Sequence, residues 1–150
     1  SANIIPGNGV FSIDVRAQTN QVMDTLMDQL EKVISSVAEL SAVAINIEVM
    51  ADLPAAEVDE NAVKLMAQAI IETVGEQFLA APIATPGGED FHFYTLKRPS
   101  VRTTMLGLGC DLSPGLHHPK MTFNHDSLLT GIEILVRTVN HSFERLKQRK

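Results

Sequence analysis

The sequence predicts a mixed α+β or α/β fold, and three observations predict it. Two segments alternate apolar and polar residues at period two, as half-buried strands do. Three longer segments repeat apolar residues at three- and four-residue spacing, as amphipathic helices do. The first block runs strand, helix, strand, so its helix should cover one face of a sheet.

The first strand is "NGVFSIDVRAQ", where Phe11, Ile13 and Val15 alternate with Val10, Ser12, Asp14 and Arg16. The helix after it carries Val22, Met23, Leu26, Met27, Leu30, Val33, Ile34 and Val37, with Thr19 or Asn20 as N-cap. "AVAINIEVMAD" alternates again as a second strand. "LPAAEVDE" is a turn-rich joint and the natural internal boundary, placed at residue 53. A second helix should start near Asp59 and end near Gly75, where glycine permits the helix to stop. The Pro- and Gly-containing stretch from Ala80 is a loop, with a short helix starting at Glu89, because Glu89 and Asp90 suit a helix N-terminus. "VRTTMLGLGCDL" is a third strand running into glycines. The closing helix begins near Ser127, with Leu128, Leu129, Ile132, Leu135, Val136 and Val139 on its expected buried side.

The chain has 150 residues, 45% of them hydrophobic and 20% charged, which is ordinary for a globular protein with a core. A net charge of -6 argues against nucleic acid or anionic lipid as partner; the basic end "RLKQRK" reads as a solvated helix terminus. A single cysteine, Cys110, excludes an intrachain disulfide and fits a reducing, cytoplasmic setting. No stretch reaches the roughly 18 apolar residues of a membrane span. The first strand begins almost at once, so the chain is expected to be a portion of something longer.

Three of the five histidines, His117, His118 and His125, fall within "LSPGLHHPKMTFNHD". Histidine is a common zinc ligand and a base near neutral pH. Adjacent histidines in a tight loop offer one ligand rather than two, whereas a catalytic zinc takes about three from its protein. No Cys pair, HxxxH, HxH or HxD supplies the others; His92 and His141 are expected to face solvent or pack locally. From the residues alone, the loop is a structural or surface feature, Arg16 the exposed end of a strand and Asn3 a turn residue. There is no G-x-S-x-G elbow, no P-loop lysine and no dinucleotide fingerprint, and Cys110 reads as a small residue at a strand end.

Four motifs in order change that reading: "NIIPG", "FSIDVRA", "PGGEDFHFY" and "GLHHPKMTFNHDSL". Together they resemble the C-terminal half of M20-type metallopeptidases, closest to the amidohydrolase branch of aminoacylases, carboxypeptidases and N-acyl amino acid hydrolases. The resemblance spans essentially the whole chain. It implies that residues 1–53 are part of an inserted lid, the dimerisation domain, and that residues 54–150 are the closing α/β segment of a catalytic domain. It also implies that His117, at the H-x-P position, is the last ligand of a two-metal site holding zinc or manganese, with His118 a neighbour. Asn3 and Arg16 match lid positions that bind the substrate carboxylate. Gly87 and Gly88 would let backbone N–H groups approach the substrate. Glu89 and Asp90 would order that loop and cap the helix, and His125 stands where the family often has an acid.

The family's other motifs, a Cys or His pair, a bridging acid, a Glu-Glu catalytic pair and the lid's Gly-Gly-His segment, do not occur in this chain. The resemblance therefore implies part of a metal-dependent amidohydrolase or peptidase that cleaves an N-acyl amino acid or short peptide. It implies a cytoplasmic homodimer formed through the lid, and no activity in this chain alone. The alternatives are a non-catalytic dimerisation or small-ligand-binding module and a catalytically dead family member that senses an amino acid derivative.

Overall fold

The computed structural model describes residues 6–82 and 88–147. Four α-helices appear in order: α1 (Asn20–Ser41), α2 (Glu60–Val74), α3 (Phe93–Lys97) and α4 (Ser127–Lys147). Single 3-10 turns follow α2 at Glu76–Phe78 and precede α3 at Asp90–His92. The chain divides into two units: Ser1–Ala56 with Pro86–Asp90, and Glu57–Thr85 with Phe91–Lys150.

The helix limits follow local chemistry. Thr19 is extended, and its Oγ1 accepts the Val22 N–H at 3.2 Å, so α1 starts at the next residue. Asp59 caps α2 in the same way, accepting from Ala62 N–H at 2.9 Å. Gly75 ends α2 at a φ of 96°, a conformation open to glycine but strained for other residues. Ala42 closes α1 in the left-handed region at a φ of 52° without being glycine.

The predicted mixed α+β or α/β fold is corrected here: among the described residues there is no β-strand, only an isolated antiparallel bridge between Ser113 and Thr122. Alternation assigns side chains to faces, but a strand exists only where backbone N–H and C=O groups meet a ladder partner. The segments "NGVFSIDVRAQ" and "AVAINIEVMAD" meet none among the described residues, and both their faces stay open: Val10 is 98% exposed, and its neighbour Phe11 is exposed too. The segment from Val101 forms single links instead of a ladder, such as Asp59 N–H to Thr103 O at 2.9 Å and Asn124 N–H to Cys110 O at 2.7 Å. With no sheet to cover among the described residues, α1 buries no residue; Met23, Met27, Leu30, Ile34 and Ala38 are only half-buried along one side.

In the second unit α2 packs on α4 around Met66, Ala69 and Ile134, with Ile70 and Leu106 against them. The buried line of α4 is a second correction. Gly131 and Ile134 are buried, while Leu128, Leu129, Ile132, Leu135, Val136 and Val139 are all exposed. The buried line of α4 is instead the one on which Ile134 meets α2 and Gly131 leaves room for Leu108: a Cβ on Gly131 would lie 2.8 Å from Leu108 Cδ2. Polar links extend the same seam, from Thr138 Oγ1 to Met66 Sδ (3.3 Å), His141 to Glu72 (2.8 Å) and Arg145 to Asn61 (2.9 Å).

Candidate functional site

The histidine loop is shaped by backbone bonds close to its ends. Ser113 and Thr122 exchange N–H···O bonds of 3.0 and 2.8 Å, which closes the segment into a turn. Inside it, His118 N–H donates to Gly115 O and Met121 N–H donates to His118 O. The two histidines are then unequal. His118 Nδ1 accepts the Lys120 N–H at 3.0 Å, so that nitrogen holds the turn. His117 makes no side-chain hydrogen bond among the described residues, is exposed, and stands at a φ of 62°. A non-glycine residue in the left-handed region costs on the order of 1–2 kcal/mol, and such strain clusters where a side chain must be aimed. The two rings therefore differ because His117 is left-handed and His118 is tied to Lys120. His125 lies exposed with its ring 4.8 Å from that of Phe123.

Arg16 lies in the first unit, on the exposed segment before α1. Its Nε and Nη2 both donate to Asp14 Oδ2, at 2.9 and 2.7 Å. The hydrogen bond to Asp14, then its charge, raises the Arg16 pKa above the ordinary arginine value. Asp14 thus orients the guanidinium and competes with any incoming carboxylate for it. The D-x-R pattern contained this partner, but the sequence reading gave Asp14 no role. Gly88 lies in the same unit and packs tightly: a Cβ there would meet Leu53 Cδ1 at 3.0 Å and Leu53 Cβ at 3.3 Å. Its lack of a side chain thus serves a contact with Leu53 that sequence gave no hint of. Asp90 begins the 3-10 turn itself, and neither Glu89 nor Asp90 forms a side-chain hydrogen bond among the described residues. Asn3 and Gly87 lie outside the described residues.

His92 is buried, 3% exposed, and its Nδ1 has no hydrogen-bond partner. Its ring sits edge-on to Phe91 with centroids 5.7 Å apart. An open cavity of about 510 Å³ at the start of α2, lined by Asp59, Thr95, Ser100 and Arg102 among others, holds none of the predicted site residues. Among the described residues no group of three or more His, Cys, Asp or Glu is placed to hold a metal ion. The described donors therefore do not fit a two-metal centre by themselves; His117 offers one exposed imidazole. No helix among the described residues is long and apolar enough to cross a membrane.

A sequence model of peptidase family M20/M25/M40 matches residues 5–141, a span that includes Arg16, Gly88, Glu89, Asp90 and His117 but not Asn3. No curated protein and no solved structure matches the chain.

Proposed function

We propose, because this chain belongs to peptidase family M20/M25/M40, that it is the C-terminal part of a metal-dependent amidohydrolase or peptidase cleaving the amide bond of an N-acyl amino acid or short peptide. The match over residues 5–141 carries this reading. Membership carries a peptidase or amidohydrolase relationship, and the proposal extends it to metal dependence, a cytoplasmic setting and a homodimer through residues 1–53. His117 would contribute one ring nitrogen to zinc or manganese, the remaining donors coming from outside the described residues. Bound divalent metal would supply Lewis acidity toward the amide carbonyl. Arg16 would grip the substrate carboxylate with two N–H groups, after releasing or sharing Asp14, and a lysine could not copy that fork. Asn3, Gly87 and Gly88 would complete the substrate contacts, with Glu89 and Asp90 ordering their loop.

The test compares His117→Ala and His118→Ala in the longest native form of the protein, assayed for metal content and turnover of N-acyl amino acids with excess metal. The expected result is near-complete loss for His117→Ala. His118→Ala should cost at most the roughly 10- to 100-fold typical of groups that only support a ligand. The reverse pattern would move the ligand assignment by one residue. A second reading, a dimerisation or small-ligand module without chemistry, draws support from the lack of a three-donor group among the described residues. Full turnover by both variants, together with dimerisation, would favour it.

A further inference from the structure

Helix α4 has two sides of different character. Gly131, Ile134 and Thr138 turn toward α2 and Leu108. The other side is an apolar arc from Leu128 through Leu135 and Val139 to Leu146, and no charged residue interrupts it. Its eight large apolar side chains are 48–73% exposed. A stripe this wide is the kind that faces a core or a partner, and soluble chains rarely leave so large an apolar patch bare. Eight such side chains, each about half exposed, amount to roughly 800 Å², which is what one partner contributes to a standard protein–protein interface. The charges at the ends of the arc give the direction of pairing. Asp126 precedes its first leucine and Lys147 follows its last; both are exposed, and neither forms an ion pair among the described residues. The other charges of α4 are engaged on its own side: Glu133 pairs with Arg137 at 2.7 Å, Arg145 bonds Asn61 of α2, and Glu144 lies beside His141. A second copy running antiparallel sets Asp126 of each chain beside Lys147 of the other, whereas a parallel copy sets like charges together. Antiparallel pairing also opposes the two helix dipoles, and one self-complementary patch suffices for two-fold closure.

We propose that the apolar arc of α4 is a self-association face, on which a second copy of this chain packs its own α4 antiparallel about a two-fold axis. The face is separate in sequence from residues 1–53 and pairs whether or not those residues also dimerise. Dilute unfolding experiments read the single chain, whose arc is bare. The test is sedimentation equilibrium of the whole chain over a wide concentration range, beside three variants. Val139 lies near the middle of the arc, so Val139→Glu brings two carboxylates into the centre of the apolar contact. It should halve the assembled mass and raise the dissociation constant by about 100-fold or more, the cost of burying an unpaired charge. Glutamate forms helix better than valine, so circular dichroism should show the helices intact. Asp126→Lys should weaken association severalfold, and adding Lys147→Asp should restore it; both positions are exposed, so these variants keep the fold. A chain that stays monomeric throughout, or an assembly whose mass Val139→Glu leaves unchanged, would overturn the proposal: the arc would then be bare or covered by a different polypeptide. Undiminished association in Asp126→Lys would refute the antiparallel pairing.

Discussion

His117 can be tested for its backbone before any activity is measured. It occupies the left-handed region at a φ of 62°, is exposed, and makes no side-chain hydrogen bond among the described residues. An L-residue there costs about 1–2 kcal/mol, histidine toward the low end, and glycine avoids that cost. Glycine also widens the unfolded ensemble by about 0.4–1 kcal/mol, which offsets part of the gain. His117→Gly should therefore stabilise the chain by about 0.5 kcal/mol, up to about 1. Ala42→Gly, at a φ of 52° where α1 ends, is the control and should gain a similar amount. His118→Ala should instead lose about 0.5 kcal/mol, because the Lys120 N–H would exchange Nδ1 for water. Urea denaturation monitored by circular dichroism reads all three. If Ala42→Gly stabilises while His117→Gly costs about 1 kcal/mol or more, the His117 ring supports the loop. The argument that its strained backbone aims it outward then fails.

Ile134→Ala should cost about 2–5 kcal/mol in the same assay, whereas Leu129→Ala, at a position 73% exposed, should stay within about 0.5 kcal/mol; equal losses would mean that the outer arc of α4 is covered after all. Hydrogen bonds from Gln68 and His141 hold the Glu72 carboxyl below the ordinary glutamate value of 4.5. Its stabilisation is thus complete above that value and lost as pH falls through the lower folded one, so Glu72→Gln should flatten the acid limb of the stability curve; an unchanged limb would count against the interaction. In an active form of the protein, Arg16→Lys should raise KM for carboxylate substrates severalfold with little change in unfolding midpoint; a lowered midpoint with unchanged KM would make Arg16 structural. Gly131→Ala sets about 1 kcal/mol of helix propensity against crowding of Leu108, which commonly costs about 1–3 kcal/mol, so a modest net destabilisation is expected on thermal melting.

The sequence by itself determined the features decided within one helical turn. Thr19 and Asp59 stop the chain from being helical before them because their oxygens satisfy N–H groups three residues on, and Gly75 ends α2 because its φ favours glycine. The ordered motifs through Arg16, the glycine loop and His117 were legible as a family pattern, since a motif is a local string. Other properties were not local. The alternation in residues 8–18 and 42–52 named faces, but pairing partners come from elsewhere in the fold, and among the described residues none is supplied. Helix α4 showed its stronger apolar arc on the side that stays exposed, and only the fit of α2 and Leu108 around Ile134 and Gly131 selected the weaker one. Tertiary contact likewise set Leu53 against Gly88, and loop closure between Ser113 and Thr122 put His117 into a left-handed turn. Backbone caps bond across three or four residues and can be read along the chain. Buried faces and loop strain depend on which distant surface arrives, and spacing along a single chain does not encode that distance.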